Sequence, residues 1–187
     1  DSELAIIKEG HDLTWSAVVS KDEKYLKSKQ FPKDKNYWLE HCQSLESIGL
    51  RAHYADQFSD HNNYPSRRHT VAISRHVFSA LEQLAGQSGA GVSQVFLGML
   101  ALYFDSTYAQ HRLCFGIPVH NRRNYAEKTM IGVFTGISPL VVNVDKESSF
   151  TQLIADIARS QKTNFRHQRY PVGQIMRDLS YSGTGKA

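Results

Sequence analysis

The chain has 187 residues, 41% of them hydrophobic and 11% aromatic, a composition that suits one globular body with a sizeable core. Its formal net charge is +4, but the basic residues are spread among acids, which disfavours a nucleic-acid-binding stripe. No apolar run reaches the roughly 18–20 residues of a membrane span, and the N-terminus lacks a secretory signal pattern. We therefore expect a cytoplasmic protein without nucleic-acid or membrane partners. Cys42 and Cys114 are interpreted as two reduced thiols, with a disulfide as the alternative.

The first third of the chain predicts one amphipathic helix followed by a long polar connection. Pro32–Gln43 has helical spacing, a proline in its first turn, and Tyr37 and Trp38 on the inward face. Residues 44–68 are rich in His, Asn, Ser and Asp and predict a surface loop. The histidines of this region lack the close spacing of metal ligands, so we expect no metal site.

The middle of the chain predicts a strand and two helices. Thr70–Ile73 alternates and is β-branched, which is typical of a strand. Ser74 is suited to cap the helix that follows. Gly86–Gly91 ends that helix and is interpreted as a helix–helix turn rather than a phosphate cradle. Val92–Tyr108 is apolar nearly all round, which predicts a helix buried in a larger core.

The last third predicts two strands and two more helices. Leu113–Val119 is continuously apolar, as in a strand covered on both faces, and Ile137–Val144 predicts a second strand. A capping box at Ser149–Gln152 begins a long helix, and Pro171 begins a short final one. The whole order predicts an α/β fold, with helices packed on a small mixed sheet.

The pattern divides the chain into three segments. Residues 1–68 form an N-terminal segment with the amphipathic helix and the polar connection, 69–181 an α/β core, and 182–187 a flexible tail. No internal repeat accompanies this division.

The common catalytic signatures are missing from the sequence. It contains no phosphate-binding glycine loop, no dinucleotide fingerprint and no Gly-x-Ser-x-Gly elbow. His11 and Asp12 lie in a segment without periodicity and are interpreted as an incidental surface pair. His167 falls at a predicted helix end, where the macrodipole favours it. Arg122 and Arg123 follow a strand end, where they either bind an anion or solvate a turn.

Five motifs in chain order resemble the condensation domain of nonribosomal peptide synthetases, within the chloramphenicol-acetyltransferase-like superfamily. The matching runs are Tyr25-Leu26 with Ser28, Phe31, Asp34 and Tyr37-Trp38; Gly116 to Arg122 (GIPVHNR); Ile131 to Leu140 (IGVFTGISPL); His167 to Pro171 (HQRYP); and Arg177 to Ser180 (RDLS). The third run departs from the family pattern, because Gly136 stands where many members have Asn. The match covers about residues 13–180.

The resemblance implies one half of a two-lobed fold and a role in amide-bond formation between acyl or aminoacyl thioesters on carrier proteins. The family's catalytic motif, His-His-x-x-x-Asp-Gly, is not in this sequence. We therefore expect the chain to be a middle-to-C-terminal portion of such an acyltransferase, from a bacterial secondary-metabolite pathway. No catalytic residue is assigned within it, and the isolated chain is expected to be inactive.

The resemblance also implies a binding surface and its partners. Small residues around the third motif would line a tunnel for the phosphopantetheine arm of carrier proteins, with no cofactor bound directly. The substrate-binding candidates are Gly132, Phe134, Thr135, Gly136, Ser138, Arg122 and His167. The implied partners are the N-terminal lobe of the same domain and the donor and acceptor carrier proteins. Self-association through uncovered apolar patches is a further expectation.

Three alternatives stay open at this point. The first is a non-catalytic condensation-like module that docks carrier proteins. The second is a cyclising or epimerising relative, which shares these motifs. The third, a free-standing acyltransferase acting on coenzyme A thioesters, is disfavoured because the Tyr-Leu-x-Ser and His-Gln-x-x-Pro runs are typical of the peptide-synthetase branch.

Overall fold

The computed structural model describes residues 15–45, 68–122 and 124–179. Within these ranges the chain forms seven helices and a two-stranded sheet. In chain order the elements are α1 (Trp15–Leu26), α2 (Gln30–Cys42), α3 (Arg75–Gln87), α4 (Val92–Tyr108), β1 (Arg112–Val119), α5 (Tyr125–Thr129), β2 (Gly136–Asn143), α6 (Phe150–His167) and α7 (Val172–Asp178).

The two strands run antiparallel. The amide of Val144 donates to the carbonyl of His111 (2.7 Å) at one end of the pair, and Gly116 lies opposite Ile137 further along. The predicted α/β class with helices and a small sheet is therefore confirmed, as are helices close to the predicted bounds of α2, α4, α6 and α7.

The chain divides into two compact units. One contains Asp1–Gln43, Phe115–Leu140 and Lys162–Ala187, and the other contains Ser44–Cys114 and Val141–Gln161. The division predicted from the sequence, at residues 68 and 181, stays a prediction.

The second unit has a small aliphatic core between α3, α4 and the first half of α6. Its fully covered members are Ala85, Val95 and Ile154, flanked by Leu81, Leu84, Ala90, Val92 and Phe150. Gly98 permits the close approach of α6, because a Cβ there would lie 3.0 Å from the Phe150 ring. The helix–helix turn predicted at Gly86–Gly91 connects α3 to α4, as expected.

Ser74 caps α3 as predicted, since its Oγ accepts from the amide of Val77 (3.3 Å). We expect Ser74→Ala to lower the free energy of unfolding by about 1 kcal/mol, the usual contribution of such a cap. Chemical denaturation measures the difference. Ser79→Ala, on an exposed position of the same helix, is the control, and equal effects of the two substitutions would contradict the capping role.

The first unit is built around Trp38, which is 1% exposed. Its indole Nε1 donates to the carbonyl of His167 (2.9 Å), which ties α2 to the end of α6. The Tyr37 hydroxyl donates to Asn164 Oδ1 (2.5 Å), and the Asn164 amide in turn donates to the carbonyl of Pro139 on β2 (2.8 Å). The predicted inward orientation of Tyr37 and Trp38 is thus confirmed.

Two sequence predictions about strands are wrong. Thr70–Ile73 forms no strand, and Val71 is 85% exposed, because β-branched alternation gives a strand only where a neighbouring strand pairs with it. β1 is not covered on both faces, since Cys114, Gly116 and Pro118 are exposed on alternate positions. Continuous apolar character alone does not determine how many faces a strand buries.

The helices depart from the sequence predictions in three ways. α4 is not buried all round: Phe96, Met99, Leu100 and Tyr103, spaced along one helical stripe, are 38–59% exposed. The predicted capping box of α6 is half formed. Ser149 Oγ accepts from the backbone amide of Gln152 (3.2 Å), but the side-chain amide of Gln152 donates to Asp156. The sequence prediction also gave no bounds for α1 and omitted α5.

Other expectations concern the thiols and membranes. Cys42 is buried and Cys114 is exposed, and no disulfide joins them in the part of the chain that the structure describes. Across residues 15–45, 68–122 and 124–179, no helix is both long and apolar enough to cross a membrane. The pair His11-Asp12 and the tail 182–187 lie outside the described residues.

Candidate functional site

Arg122 organises the β1–β2 connection, residues 120–135. Its guanidinium donates to the carbonyls of Glu127, Met130 (2.8 Å) and Gly132 (2.8 Å). Its Cζ also lies 4.4 Å from the centre of the Phe134 ring, within the range of a cation–π interaction. One planar side chain with five N–H donors can hold several carbonyls at once, so Arg122 keeps this connection folded against the strand end.

Two described residues of this connection have a positive backbone φ angle. Gly132 has φ +151°, a conformation that L side chains rarely adopt. Asn121 has φ +52°, in the left-handed region that Asn tolerates better than most residues. These conformations turn the chain so that Phe134 lies under the Arg122 guanidinium, while Thr135 is exposed.

A cavity of about 260 Å³, the α1 cavity, lies between α1, the β1–β2 connection and the turn after α6. Its walls include Val18, Lys21, Asn121, Phe134, Gln168 and Arg169. Lys21 is ion-paired with Glu127, which is 4% exposed. The lining therefore combines apolar contact with amide and paired ionic groups, which suits an uncharged ligand that carries hydrogen-bonding groups.

A second cavity of about 300 Å³, the strand-end cavity, adjoins the end of β1. Asn121 and Gln168 line both this cavity and the α1 cavity. Arg122 and Phe165 also line the strand-end cavity. The same two amide side chains thus form the wall that the two spaces share.

A wider groove beside α1, the basic groove, has a volume of about 650 Å³. Lys21, Lys24, Arg166 and Arg169 contribute to its walls. Arg169 is held in place by the carbonyl of Lys21 (3.1 Å) and by Asp22 (3.2 Å), with its Cζ 4.1 Å from the centre of the Tyr25 ring. Four basic side chains therefore line this groove, together with the buried carboxyl of Asp34.

His167 belongs to a buried hydrogen-bond network around Asp34. Asp34 is 1% exposed and accepts from the Tyr25 hydroxyl (2.7 Å), the Gln30 amide (2.6 Å) and His167 Nδ1 (2.8 Å). The imidazole also stacks on Tyr37, with ring centres 4.0 Å apart. A buried carboxylate that orients an imidazole fixes its tautomer with the proton on Nδ1.

Two tyrosines of the first unit are held in the neutral form. Burial, reinforced by the hydrogen bond to Asp34, raises the pKa of Tyr25 far above its usual range. Burial likewise raises the pKa of Tyr37. Both hydroxyls therefore remain hydrogen-bond donors throughout the physiological pH range.

The Tyr170 hydroxyl donates to Asp178 and lowers the pKa of that carboxyl, with help from Gln174 and Lys35. Because the pKa of the Asp178 carboxyl is lower in the folded state than its ordinary value of 3.8, the ionised carboxylate stabilises the fold at pH values above 3.8. This stabilisation is lost as the pH falls from 3.8 through the lowered pKa. We expect Tyr170→Phe to flatten the acid limb of a plot of Tm against pH. Tyr103→Phe, on an exposed tyrosine, is the control, and identical acid limbs for wild type and Tyr170→Phe would contradict the coupling.

The structure brings some of the predicted site residues together. Arg122, Gly132 and Phe134 form one contact group, and Gly136 lies directly beside Asn121. Ser138 is buried in β2, and its Oγ has no hydrogen-bond partner among the described residues. His167 lies in the Asp34 network. Whether these residues bind substrate stays a prediction.

Sequence inspection missed several residues that line the cavities. Lys21, Asn121, Glu127 and Gln168 carry no catalytic signature of their own. Gln168 was visible only as part of the His-Gln-x-x-Pro run, and Asn121 only as a variable position within GIPVHNR. Their importance depends on contacts between segments far apart in the chain.

Comparison with known proteins gives a consistent family match. A family model described as "Condensation domain" matches residues 7–186. Surfactin synthase subunit 1 of Bacillus subtilis (strain 168) is 28% identical over 173 residues, which are 92% of this chain and 5% of that protein. A dimodular nonribosomal peptide synthase of the same strain is 25% identical over 89% of this chain and 7% of that protein. The chain thus spans a small part of these relatives.

Solved structures agree on the fold. The first condensation domain of the calcium-dependent antibiotic synthetase, in complex with a substrate analogue, superposes with a TM-score of 0.73 at 20% identity, over 91% of this chain and 37% of that one. VibH, a nonribosomal peptide synthetase condensation enzyme, gives 0.64 at 20% identity, over 88% of this chain and 38% of that one.

Proposed function

Because the chain belongs to the condensation domain family, we propose that it is a portion of a nonribosomal peptide synthetase domain that joins carrier-bound acyl and aminoacyl groups through an amide bond. The relatives are much longer than this chain, so the activity is proposed for the whole domain. The chain's part in it is binding and positioning, which by themselves lower a bimolecular barrier substantially.

The β1–β2 connection carries this proposal. Arg122 holds it in one conformation through three backbone carbonyls, and Phe134 contributes to the α1 cavity. A wall of this kind, preorganised and lined by amides, suits a phosphopantetheine arm, which is slender, largely uncharged and rich in amides. Gly132, Thr135, Gly136 and Ser138 would then leave room along the same wall.

Donor and acceptor carrier proteins are the proposed partners, and the cytoplasm the proposed location. The basic groove supports carrier docking, because Lys24 and Arg166 place positive charge where an acidic partner would approach. In this proposal Arg122 acts by shaping the wall, since its guanidinium donors are engaged with carbonyls.

We further propose that this chain alone does not catalyse condensation, because its sequence contains no His-His-x-x-x-Asp-Gly run. The test supplies loaded donor and acceptor carrier proteins and measures amide product by mass spectrometry. The 187-residue chain should give no product above the enzyme-free blank, whereas a longer polypeptide from the same reading frame that includes the motif should give product. Turnover by the chain alone would overturn its proposed inactivity, and failure of the longer polypeptide would overturn the amide-forming function.

A further inference from the structure

The side chain of Asn121 occupies the space that a side chain at position 136 would need. A Cβ built on Gly136 would lie 2.7 Å from Asn121 Nδ2 and 3.8 Å from a methyl group of Val119. The first distance is shorter than real contacts of a Cβ, so either the amide or the strand would have to move. Asn121 and Gly136 are therefore complementary: the amide fills the place because the glycine leaves it empty.

The position of the Asn121 amide is set by packing rather than by a full set of hydrogen bonds. Its Oδ1 is buried and has no hydrogen-bond partner among the described residues. The left-handed backbone of Asn121, at φ +52°, would suit glycine at least as well. Backbone geometry thus gives no reason to prefer Asn over Gly here, whereas the volume of the side chain does.

This amide also lies in the wall shared by two cavities. Asn121 and Gln168 line both the α1 cavity, of about 260 Å³, and the strand-end cavity, of about 300 Å³. Each space by itself is at or below the lower end of the roughly 300–1,000 Å³ typical of small-molecule sites. Removing the shared wall would give one space well inside that range.

We infer that Asn121 takes the place of the side chain at position 136 and acts as a partition that limits the length of the acyl group admitted beside the β1–β2 connection. The inference rests on the proposed function, since it assumes that the arm-borne acyl group binds at this wall.

Acyl-pantetheines of two lengths test the partition on the 187-residue chain. We expect wild type to bind S-acetylpantetheine about tenfold more tightly than S-octanoylpantetheine, a ratio typical of extra methylenes meeting a closed wall. Asn121→Gly should bring the two affinities within about threefold, and Asn121→Gly/Gly136→Asn should restore the discrimination. Isothermal titration calorimetry measures both affinities.

The outcomes separate the inference from the function it rests on. If wild type binds the acetyl probe and Asn121→Gly leaves the length preference unchanged, the partition is overturned while the binding wall stands. If neither probe binds either protein, the binding wall is overturned together with the partition.

A measurement without ligand tests the exchange itself. Gly136→Asn in wild type should lower Tm by about 2–4 °C, and the same substitution in Asn121→Gly should cost little. Gly86→Asn, where an added Cβ meets no atom within 4 Å, is the control and should have the same effect in both backgrounds. If Gly136→Asn has equal effects in both backgrounds, the two positions do not share one space and the inference fails.

Discussion

Replacing Asp34 with alanine is expected to lower the free energy of unfolding by about 3–5 kcal/mol, because three hydrogen-bond donors lose one buried acceptor at once. The substitution leaves the Tyr25 hydroxyl, the Gln30 amide and His167 Nδ1 without their common acceptor. Each of these donors then loses its partner in a largely dehydrated place. Denaturant unfolding followed by far-UV circular dichroism measures the change.

Two further variants make the Asp34 prediction specific. Asp34→Asn retains one acceptor oxygen and should cause a smaller loss than Asp34→Ala. Asp156→Ala removes a carboxylate from an exposed ion pair with Arg159 and should change stability by less than about 0.5 kcal/mol. A loss for Asp34→Ala no larger than that for Asp156→Ala would show that the network contributes nothing.

The second large effect is expected at Arg122. Arg122→Ala removes three hydrogen bonds to backbone carbonyls and the contact with the Phe134 ring. One hydrogen bond from a charged donor contributes about 1.5–3 kcal/mol, so the whole set exceeds a helix cap such as Ser74. Because these contacts are confined to the β1–β2 connection, we expect faster amide hydrogen exchange at 124–135 and little change in α3 or α4.

The matched variants for Arg122 distinguish charge from shape. Arg122→Lys keeps the charge but lacks the planar fork, so it should recover only a small part of the protection. Arg75→Ala removes an arginine whose side chain is 81% exposed and should leave exchange in the connection unchanged. Uniform acceleration across both units in Arg122→Ala would mean that the residue supports global stability instead of local order.

Local sequence signals predicted most of the helices because their causes are local. Ser74 lies beside the amide it caps, and the apolar stripes of α2 and α6 repeat at helical spacing. The strand predicted at Thr70–Ile73 was wrong because a β-branched run becomes a strand only when another strand pairs with it. Pairing depends on distant parts of the chain and cannot be deduced from the local sequence. α1 was given no bounds because four consecutive charged residues, 21–24, interrupt its apolar spacing.

The candidate site was predictable as a region and unpredictable in its contacts. The motifs around Arg122 and Phe134 predicted a binding wall in a segment whose Phe134 lines the α1 cavity, and its binding role stays a prediction. The partners of His167 could not be deduced, since Asp34 lies 133 positions away. The same holds for Asn121 and Gly136, which fit together only because the end of β1 lies beside the start of β2.

The exposed stripe on α4 affects how the chain should be assayed. Phe96, Met99, Leu100 and Tyr103 offer a hydrophobic dye a binding surface on the native fold. We expect the chain to enhance 8-anilinonaphthalene-1-sulfonate fluorescence while its near-ultraviolet circular dichroism stays native, a combination that separates it from a molten globule. Met99→Lys should weaken the fluorescence without altering the dichroism, and a native spectrum with no dye signal would contradict the expectation.

Dye-based thermal-shift screens would then start from a high baseline, so intrinsic tryptophan emission is the better reporter of unfolding for this protein.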